Sequence, residues 1–103
     1  MDKKIIEVAR LYAQRVRSHM PVRMIVLYGS YARGTARKDS DIDIAVVVDE
    51  FQGDYLKTSA DLFHLVRNVN KRIEPILLSR KNDKSGFLNN VLKHGKIIYR
   101  SEN

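Results

Sequence analysis

The stretch from residue 29 to residue 43 constrains this chain more than any other part of its sequence. It reads Gly-Ser-Tyr-Ala-Arg-Gly-Thr-Ala-Arg-Lys-Asp-Ser-Asp-Ile-Asp and separates two apolar runs, residues 24–28 and 44–48. Short, continuously apolar runs are typical of strands that are covered on both faces. We therefore predict a strand over residues 24–28, a glycine-containing turn, and a second strand over residues 42–48.

The acidic end of this stretch carries Asp41 and Asp43. Side chains two positions apart in a strand project from the same face, so both carboxylates are predicted to point one way. Neighbouring carboxylates repel each other, and removing them from water is costly unless a cation binds them. A hard divalent cation with oxygen ligands, Mg²⁺ above all, fits this pair. The alternative interpretation is that the two aspartates only begin a solvated strand.

The glycine end has the features of a phosphate-binding turn. A short helix is predicted over residues 31–37, and the first backbone N–H groups of a helix are free to bind phosphate. Gly29 leaves room for a close approach, and Ser30 is predicted to cap the helix and to offer its hydroxyl. Three cationic side chains follow: Arg33, Arg37 and Lys38. The alternative interpretation is a capped turn that binds no ligand.

Together, Gly29-Ser30 and Asp41-Ile-Asp43 resemble the signature of the DNA polymerase beta-like nucleotidyltransferase superfamily. Within it, the segments Gly-Ser-Tyr-Ala-Arg-Gly and Ser-Asp-Ile-Asp are similar to those of the minimal nucleotidyltransferases (MNT). In prokaryotes these proteins are commonly the antitoxin partners of HEPN-domain toxins. The predicted order of helices and strands on both sides of the signature also fits this family.

The resemblance implies an α/β fold, with a small mixed β-sheet flanked by helices and the acids at one end of the central strands. It implies transfer of a nucleoside monophosphate, AMP from ATP, to a hydroxyl group, with release of pyrophosphate. The implied ligands of two Mg²⁺ ions are Asp41, Asp43 and Glu74, and Glu74 is also the implied proton acceptor. The implied nucleotide-binding residues are Gly29, Ser30, Arg33 and Ser40. The implied acceptor is a tyrosine hydroxyl of a partner HEPN toxin.

Glu74 lies within a third predicted strand, residues 73–78, that is otherwise apolar. A carboxylate in such a strand is costly without a use or a partner. The structural interpretation is an exposed edge residue or an ion pair with Lys71 or Arg72, and the functional one is a place beside Asp41 and Asp43. Pro75 cannot donate a hydrogen bond to a neighbouring strand, so an edge strand or a bulge is predicted here.

Amphipathic patterns predict three longer helices and one last strand. The helices are residues 2–19, 54–70 and 82–94, and the strand is residues 96–99. The predicted N-caps are Asp2, Asp54 and either Asn82 or Asp83. In the first helix the core-facing residues recur at spacings of three and four: Ile5, Ala9, Tyr12 and Val16.

The composition of the chain bears on its number of domains, its location and its cysteine chemistry. A chain of 103 residues with 44% hydrophobic content predicts one domain, residues 1–103, with one core. No apolar run approaches the ~20 residues of a membrane span and the N-terminus lacks signal-peptide features, so a cytoplasmic protein without membrane contact is expected. The absence of cysteine excludes disulfides and thiolate sites.

A net charge of +7 attracts nucleotides, nucleic acid or an acidic protein, or simply confers solubility. The resemblance leaves two functions from different classes open: an enzyme that neutralises a HEPN ribonuclease by adenylylation, and a binder that blocks the toxin while its own site is vestigial. Direct nucleic-acid binding is disfavoured, because clustered acids repel phosphate when no metal is bound. The nucleotide base and the oligomeric state stay open.

Overall fold

A computed structural model of the chain describes residues 2–51, 53–83 and 85–102. In this part of the chain helices and strands alternate. The helices are α1 (Lys3–His19), α2 (Ser30–Arg33), α3 (Tyr55–His64) and α4 (Phe87–His94). The strands are β1 (Met24–Tyr28), β2 (Ile42–Val48), β3 (Ile73–Ser79) and β4 (Lys96–Arg100). None of these helices is long and apolar enough to cross a membrane.

The four strands form one mixed sheet in the order β3-β2-β1-β4. β1 runs antiparallel to both β2 and β4, whereas β2 and β3 are parallel. A parallel pair needs a crossover connection, which α3 and the turns after it provide. The predicted α/β fold with a small mixed sheet is therefore confirmed, and β3, which contains Pro75, is an edge strand as predicted.

The two faces of the sheet bury separate sets of apolar side chains. On one face α1 and α3 cover the larger cluster, to which β1 contributes Ile25 and Leu27. On the other face α4 covers a smaller cluster, in which Val26 packs with Leu88 and Val91. Because successive residues of a strand point to opposite faces, both central strands are buried on both sides. Their continuously apolar sequences follow from this double coverage.

α1 begins and ends as its sequence indicates. The Asp2 side chain caps it by accepting a hydrogen bond from the Lys4 backbone N–H at 2.9 Å. All four residues of the predicted stripe are buried: Ile5, Ala9, Tyr12 and Val16. The Tyr12 hydroxyl donates a hydrogen bond to the carbonyl of Leu62 at 2.7 Å and so joins α1 to α3.

α3 is shorter than predicted, since it ends at His64 instead of continuing to residue 70. Beyond it the backbone N–H groups of Val66, Arg67 and Val69 bond three residues back, which is the tighter geometry of a 3₁₀ turn. Asn68 then adopts a left-handed conformation with φ 66°. Asparagine tolerates this conformation, and β-branched valines favour helix weakly, so the helix stops early. The Asp54 cap is as predicted, accepting from the N–H groups of two residues of the first turn.

The bounds of α2 and α4, which both adjoin glycine residues, also differ from the predicted ones. α2 has four residues rather than seven, because Gly34 ends it in the left-handed conformation with φ 76°. α4 begins at Phe87 rather than at residue 82, and Gly86 occupies its N-cap position with φ 75°. The predicted caps Asn82 and Asp83 are therefore wrong, although the Asp83 carboxylate does accept from the Leu88 N–H at 3.0 Å.

Candidate active site

Three polar side chains form a row across the sheet at the end where β1 stops and β2 starts. Tyr28 on β1, Asp43 on β2 and Glu74 on β3 are direct partners in the strand register. Directly opposed residues project from the same face. This is the α4 face, because Tyr28 packs against the cluster beneath that helix. The register therefore places Asp43 and Glu74 side by side on neighbouring strands.

The electrostatics of Asp43 show which groups surround it. Burial raises the pKa of its carboxyl above the usual range, and the charges of Asp41 and Glu74 raise it further. The Arg33 guanidinium acts in the opposite direction and lowers the pKa. Asp43 is half-buried, whereas Asp41, Glu74 and Arg33 are exposed. All four predicted residues therefore lie in one neighbourhood.

Tyr28 belongs to this neighbourhood, although the sequence analysis did not single it out. Burial, Asp43 and Glu74 together raise the pKa of its hydroxyl to about 12. The ring of Phe87 packs edge-on against the Tyr28 ring, with centroids 5.8 Å apart. Its position in the sequence could have indicated that it belongs to the site, because this polar aromatic residue directly precedes Gly29 at the end of an apolar strand.

Gly29 brings the turn against the acidic side chains. Its backbone has φ 75° and ψ −150°, a region that residues with a side chain rarely adopt. A Cβ atom at this position would overlap the Asp43 carboxylate. Only glycine therefore allows the backbone after β1 to pass this close to Asp43, and the glycine and acidic ends of the motif meet at this contact.

Ser30 is the first residue of α2 and does not cap it, which corrects the prediction. Gly29 holds the N-cap position, and no side chain forms a capping hydrogen bond there. Within the described part of the chain the Ser30 hydroxyl forms no hydrogen bond, so it is available to a ligand. Its backbone carbonyl accepts from the N–H of Thr35 at 3.0 Å and closes the turn.

The loop before Asp41 is held by hydrogen bonds within the protein. The Ser40 hydroxyl, predicted to bind nucleotide, accepts from the Arg37 N–H at 2.7 Å. The Arg72 guanidinium donates to the Lys38 carbonyl at 2.8 Å instead of pairing with Glu74. Among the described residues Glu74 takes part in no ion pair, so the structural interpretation that paired it with Lys71 or Arg72 is wrong.

The three acidic side chains of the site suit a hard divalent cation, because such a cation prefers oxygen ligands such as carboxylates. They belong to Asp41, Asp43 and Glu74. In the described residues, however, no three acidic, histidine or cysteine side chains are arranged closely enough to hold a metal ion without rearrangement. Asp43 and Glu74 are direct partners on adjacent strands, about 5 Å apart across the ladder. The register therefore keeps both carboxylates on the same face of the sheet.

A cavity of about 1040 Å³ lies at the opposite end of the sheet. It is lined by the end of α1, by Val48 and Asp49 at the end of β2, and by α3. None of the predicted site residues lines it. Asp41, Glu74 and Arg33 are exposed, so the candidate site lies at the surface beside Asp43. Its assignment depends on its chemistry rather than on the size of a cavity.

Comparison with known proteins identifies the family of this chain. Residues 4–103 match the family described as polymerase beta, nucleotidyltransferase. The protein adenylyltransferase MntA of Thermococcus cleftensis is 30% identical over 97 residues, which cover 94% of this chain and 93% of that protein.

Two solved structures share the fold. A toxin–antitoxin complex with AMP-PNP contains a chain with TM-score 0.68 and 23% identity, and the match covers 92% of this chain and 74% of that one. A tri-AMPylated HEPN toxin of Shewanella oneidensis in complex with its MNT antitoxin gives TM-score 0.64 at 19% identity, over 93% and 72%. At these identities the likeness shows the fold alone, whereas the family match extends over nearly the whole sequence. This chain belongs to the polymerase beta nucleotidyltransferase family.

Proposed function

We propose that this chain transfers AMP from ATP to a tyrosine hydroxyl of a partner HEPN toxin and thereby acts as its antitoxin. The observation that carries the proposal is the contact of Gly29 with the Asp43 carboxylate. It joins a turn that suits phosphate to a pair of in-register carboxylates that suits a cation. A nucleoside triphosphate with Mg²⁺ needs both.

In this proposal the acidic residues bind cations, the residues of the turn bind phosphate, and Glu74 also accepts a proton. Asp41, Asp43 and Glu74 would hold two Mg²⁺ ions, and the positive charge of these ions would offset phosphate charge and favour the ionised form of the attacking hydroxyl. The Ser30 hydroxyl and the backbone from Gly29 hold the β- and γ-phosphates, and exposed Arg33 pairs with phosphate oxygen. Ser40 acts indirectly, since its hydroxyl holds the loop before Asp41.

The proposed reaction is an in-line displacement at the α-phosphorus of ATP. The acceptor oxygen forms a bond to this phosphorus, the bond to the bridging oxygen breaks, and pyrophosphate leaves. The exposed carboxylate of Glu74 takes the proton of the hydroxyl. Most of the rate enhancement comes from holding the reactants in line and from neutralising their charge.

The relatives support the nucleotide and the partner. The Thermococcus cleftensis protein is named a protein adenylyltransferase, one structural neighbour contains AMP-PNP, and another contains an AMPylated HEPN toxin with its MNT antitoxin. The open surface of the site fits a protein acceptor, because a partner brings the surface that orients its own tyrosine. The large cavity is at the far end of the sheet and cannot serve this purpose.

The test is label transfer from ATP to the product of the gene adjacent to the one that encodes this chain, in the presence of Mg²⁺. We expect Asp41→Ala and Asp43→Ala to lower the transfer rate at least about 100-fold. Asp39→Ala is the matched control, because Asp39 is an exposed acid of the same loop. Transfer that persists in the double variant Asp41→Ala/Asp43→Ala would refute the proposed site.

The second candidate function is neutralisation by binding alone. It predicts that the Asp41→Ala/Asp43→Ala variant still blocks the ribonuclease activity of the toxin at equimolar concentration, without label transfer. The enzyme predicts instead that substoichiometric amounts of the wild-type chain neutralise the toxin over time. Competition among the four nucleoside triphosphates in the same assay identifies the base.

A further inference from the structure

We propose that Arg72 is a positioning residue of the nucleotide site. Its guanidinium ties the loop that carries Asp41 and the first turn of α2 to the start of β3, the strand that carries Glu74. The inference builds on the proposed function, because it concerns the geometry of the same site.

The contacts of Arg72 come from one nitrogen atom. Nη1 donates to the hydroxyl of Tyr31 at 2.8 Å and to the carbonyl oxygen of Lys38 at 2.8 Å. The carbonyl oxygen of Ser40 lies at 3.4 Å from the same atom. Because this nitrogen has two hydrogens, the two short contacts are the hydrogen bonds and the third is a weaker shared contact.

The backbone of Arg72 is fixed at the same time. Its carbonyl oxygen accepts from the Ile42 N–H at 2.8 Å, next to the point where Ile42 pairs with Ile73 in the parallel ladder. Its N–H donates to the Asn70 side chain at 2.9 Å. Arg72 is therefore anchored to the sheet at its backbone, and its side chain extends over the neighbouring loop.

This arrangement matters most for Asp41. Asp43 and Glu74 are held by the ladder, whereas Asp41 precedes β2 and is exposed. Asp41 lies between Ser40, whose carbonyl faces the Arg72 guanidinium, and Ile42, whose N–H bonds to the Arg72 carbonyl. One residue thus holds the chain on both sides of Asp41.

The same guanidinium also reaches the phosphate-binding turn. Tyr31 directly follows Ser30, and its hydroxyl accepts from Arg72 while it lies 3.4 Å from the Arg37 carbonyl. The acceptors of Arg72 are neutral oxygens, and in the described part of the chain this arginine forms no ion pair. We therefore infer that Arg72 acts through geometry rather than through its charge.

The test compares Arg72→Met with Arg67→Met. Arg67 is an exposed arginine of the turn after α3, so its replacement removes the same charge and keeps a similar apolar stem. The measurement is the dissociation constant of Mn²⁺ in the presence of AMP-PNP, by isothermal titration calorimetry. We expect it to rise about 10- to 100-fold in Arg72→Met, as for other residues that orient metal ligands. In Arg67→Met it should stay within about twofold.

Hydrogen exchange gives a readout that needs no ligand. In Arg72→Met the amides of Ser40 and Ile42 should exchange faster, while those of β1 keep their protection. Tyr31→Phe removes one acceptor and should shift both readouts in the same direction by a smaller amount. If Arg72→Met fails to fold, Tyr31→Phe and Arg72→Lys are measured in its place.

Two results would overturn the inference. One is a Mn²⁺ dissociation constant that is unchanged in Arg72→Met, even if the number of binding sites per chain falls. A lower number of sites alone shows only that a smaller fraction of the variant is folded. The other is unchanged exchange of Ser40 and Ile42. The two proposals fail separately: a wild-type chain that binds Mn²⁺ and AMP-PNP but transfers no label refutes the proposed function, and the Arg72 comparison still stands.

Discussion

Gly29 and Asp43 are the two residues whose contact shapes the candidate site. The glycine has φ 75°, and a Cβ atom there would overlap the Asp43 carboxylate. Gly34 has nearly the same φ, 76°, but a Cβ atom there would have no neighbour within 4 Å. The two glycines share φ but differ in ψ, −150° at Gly29 and 18° at Gly34, so their alanine variants differ in backbone strain as well as in the collision.

We expect Gly34→Ala to lower the free energy of unfolding by about 1 kcal/mol, from backbone strain alone. Gly29→Ala should lower it by about 1–3 kcal/mol for strain and further for the displaced carboxylate. Gly29→Ala should also abolish metal-dependent nucleotide binding, whereas Gly34→Ala should retain it. Urea unfolding and calorimetric titration measure the two effects. Equal behaviour of the two variants would show that the contact with Asp43 has no role.

The raised pKa of Asp43 has a predictable sign in a stability measurement. In the absence of metal the folded chain binds the Asp43 proton more tightly than the unfolded chain, whose carboxyl has the ordinary pKa of 3.8. The contribution of the Asp43 carboxyl to folding stability therefore falls as the pH rises from 3.8 through its raised pKa in the folded chain. Above that range the ionised carboxylate is destabilising.

Asp43→Asn should consequently raise the melting temperature at pH 7 in EDTA, and the gain should vanish as the pH is lowered below 3.8. Mg²⁺ with AMP-PNP should stabilise the wild type and leave Asp43→Asn unaffected. Asp39→Asn, at an exposed position of the same loop, serves as the control. A lower melting temperature of Asp43→Asn in EDTA would contradict this account.

At the scale of elements, one buried hydrogen bond links α1 to α3. The Tyr12 side chain is fully buried, and its hydroxyl donates to the Leu62 carbonyl at 2.7 Å. Burial also raises the pKa of this hydroxyl, so it stays protonated and acts as the donor. The Tyr55 hydroxyl makes a longer bond of 3.3 Å to the Leu77 carbonyl, and its side chain is 40% exposed.

Tyr12→Phe keeps the ring and removes the donor, so the Leu62 carbonyl loses this partner. We expect the free energy of unfolding to fall by about 1–3 kcal/mol. Tyr55→Phe should cost about 0.5 kcal/mol or less, because water reaches its partially exposed hydroxyl. Urea titrations of the two variants give the comparison, and a Tyr55→Phe effect as large as that of Tyr12→Phe would argue against it.

The elements that the sequence predicted well are those whose pattern has one physical cause. α1 followed from an apolar stripe and a capping aspartate, and β2 from an apolar run that both faces of the sheet bury. The end of α3 at His64 was missed because it depends on Asn68, whose left-handed conformation is set by the surrounding fold. The length of α2, which has four residues, was overestimated because Gly34 was not recognised as its end.

Within the site, the motif itself predicted the joint neighbourhood of Asp41, Asp43 and Arg33. The pairing of Asp43 with Glu74 could not be derived, because the register of parallel strands depends on a crossover that no local pattern fixes. The contacts of Arg72 were missed for a related reason. Its partners lie more than 30 positions away in the chain, and only the folded sheet brings them together.

At the scale of the whole molecule, the formal net charge of +7 accompanies a candidate site that is itself acidic. The molecule as a whole therefore attracts an acidic partner, although the site needs cations. We expect the association rate with the proposed HEPN partner to fall about tenfold or more between low and physiological salt. The dissociation rate should change less, because short-range contacts control it. Surface plasmon resonance at several salt concentrations measures both, and a salt-independent association rate would contradict the expectation.

Side chains alternate between the two faces of β3, so the pairing of Glu74 with Asp43 limits where the chain can gain or lose residues. A single insertion early in β3 would turn Glu74 toward the α1 face and leave the candidate site with two acids. Insertions in the connection after β2 or before α4 would leave the ladder intact. Length variation among natural homologues should therefore be concentrated in these two connections, and engineered tags or domain insertions should be tolerated there first.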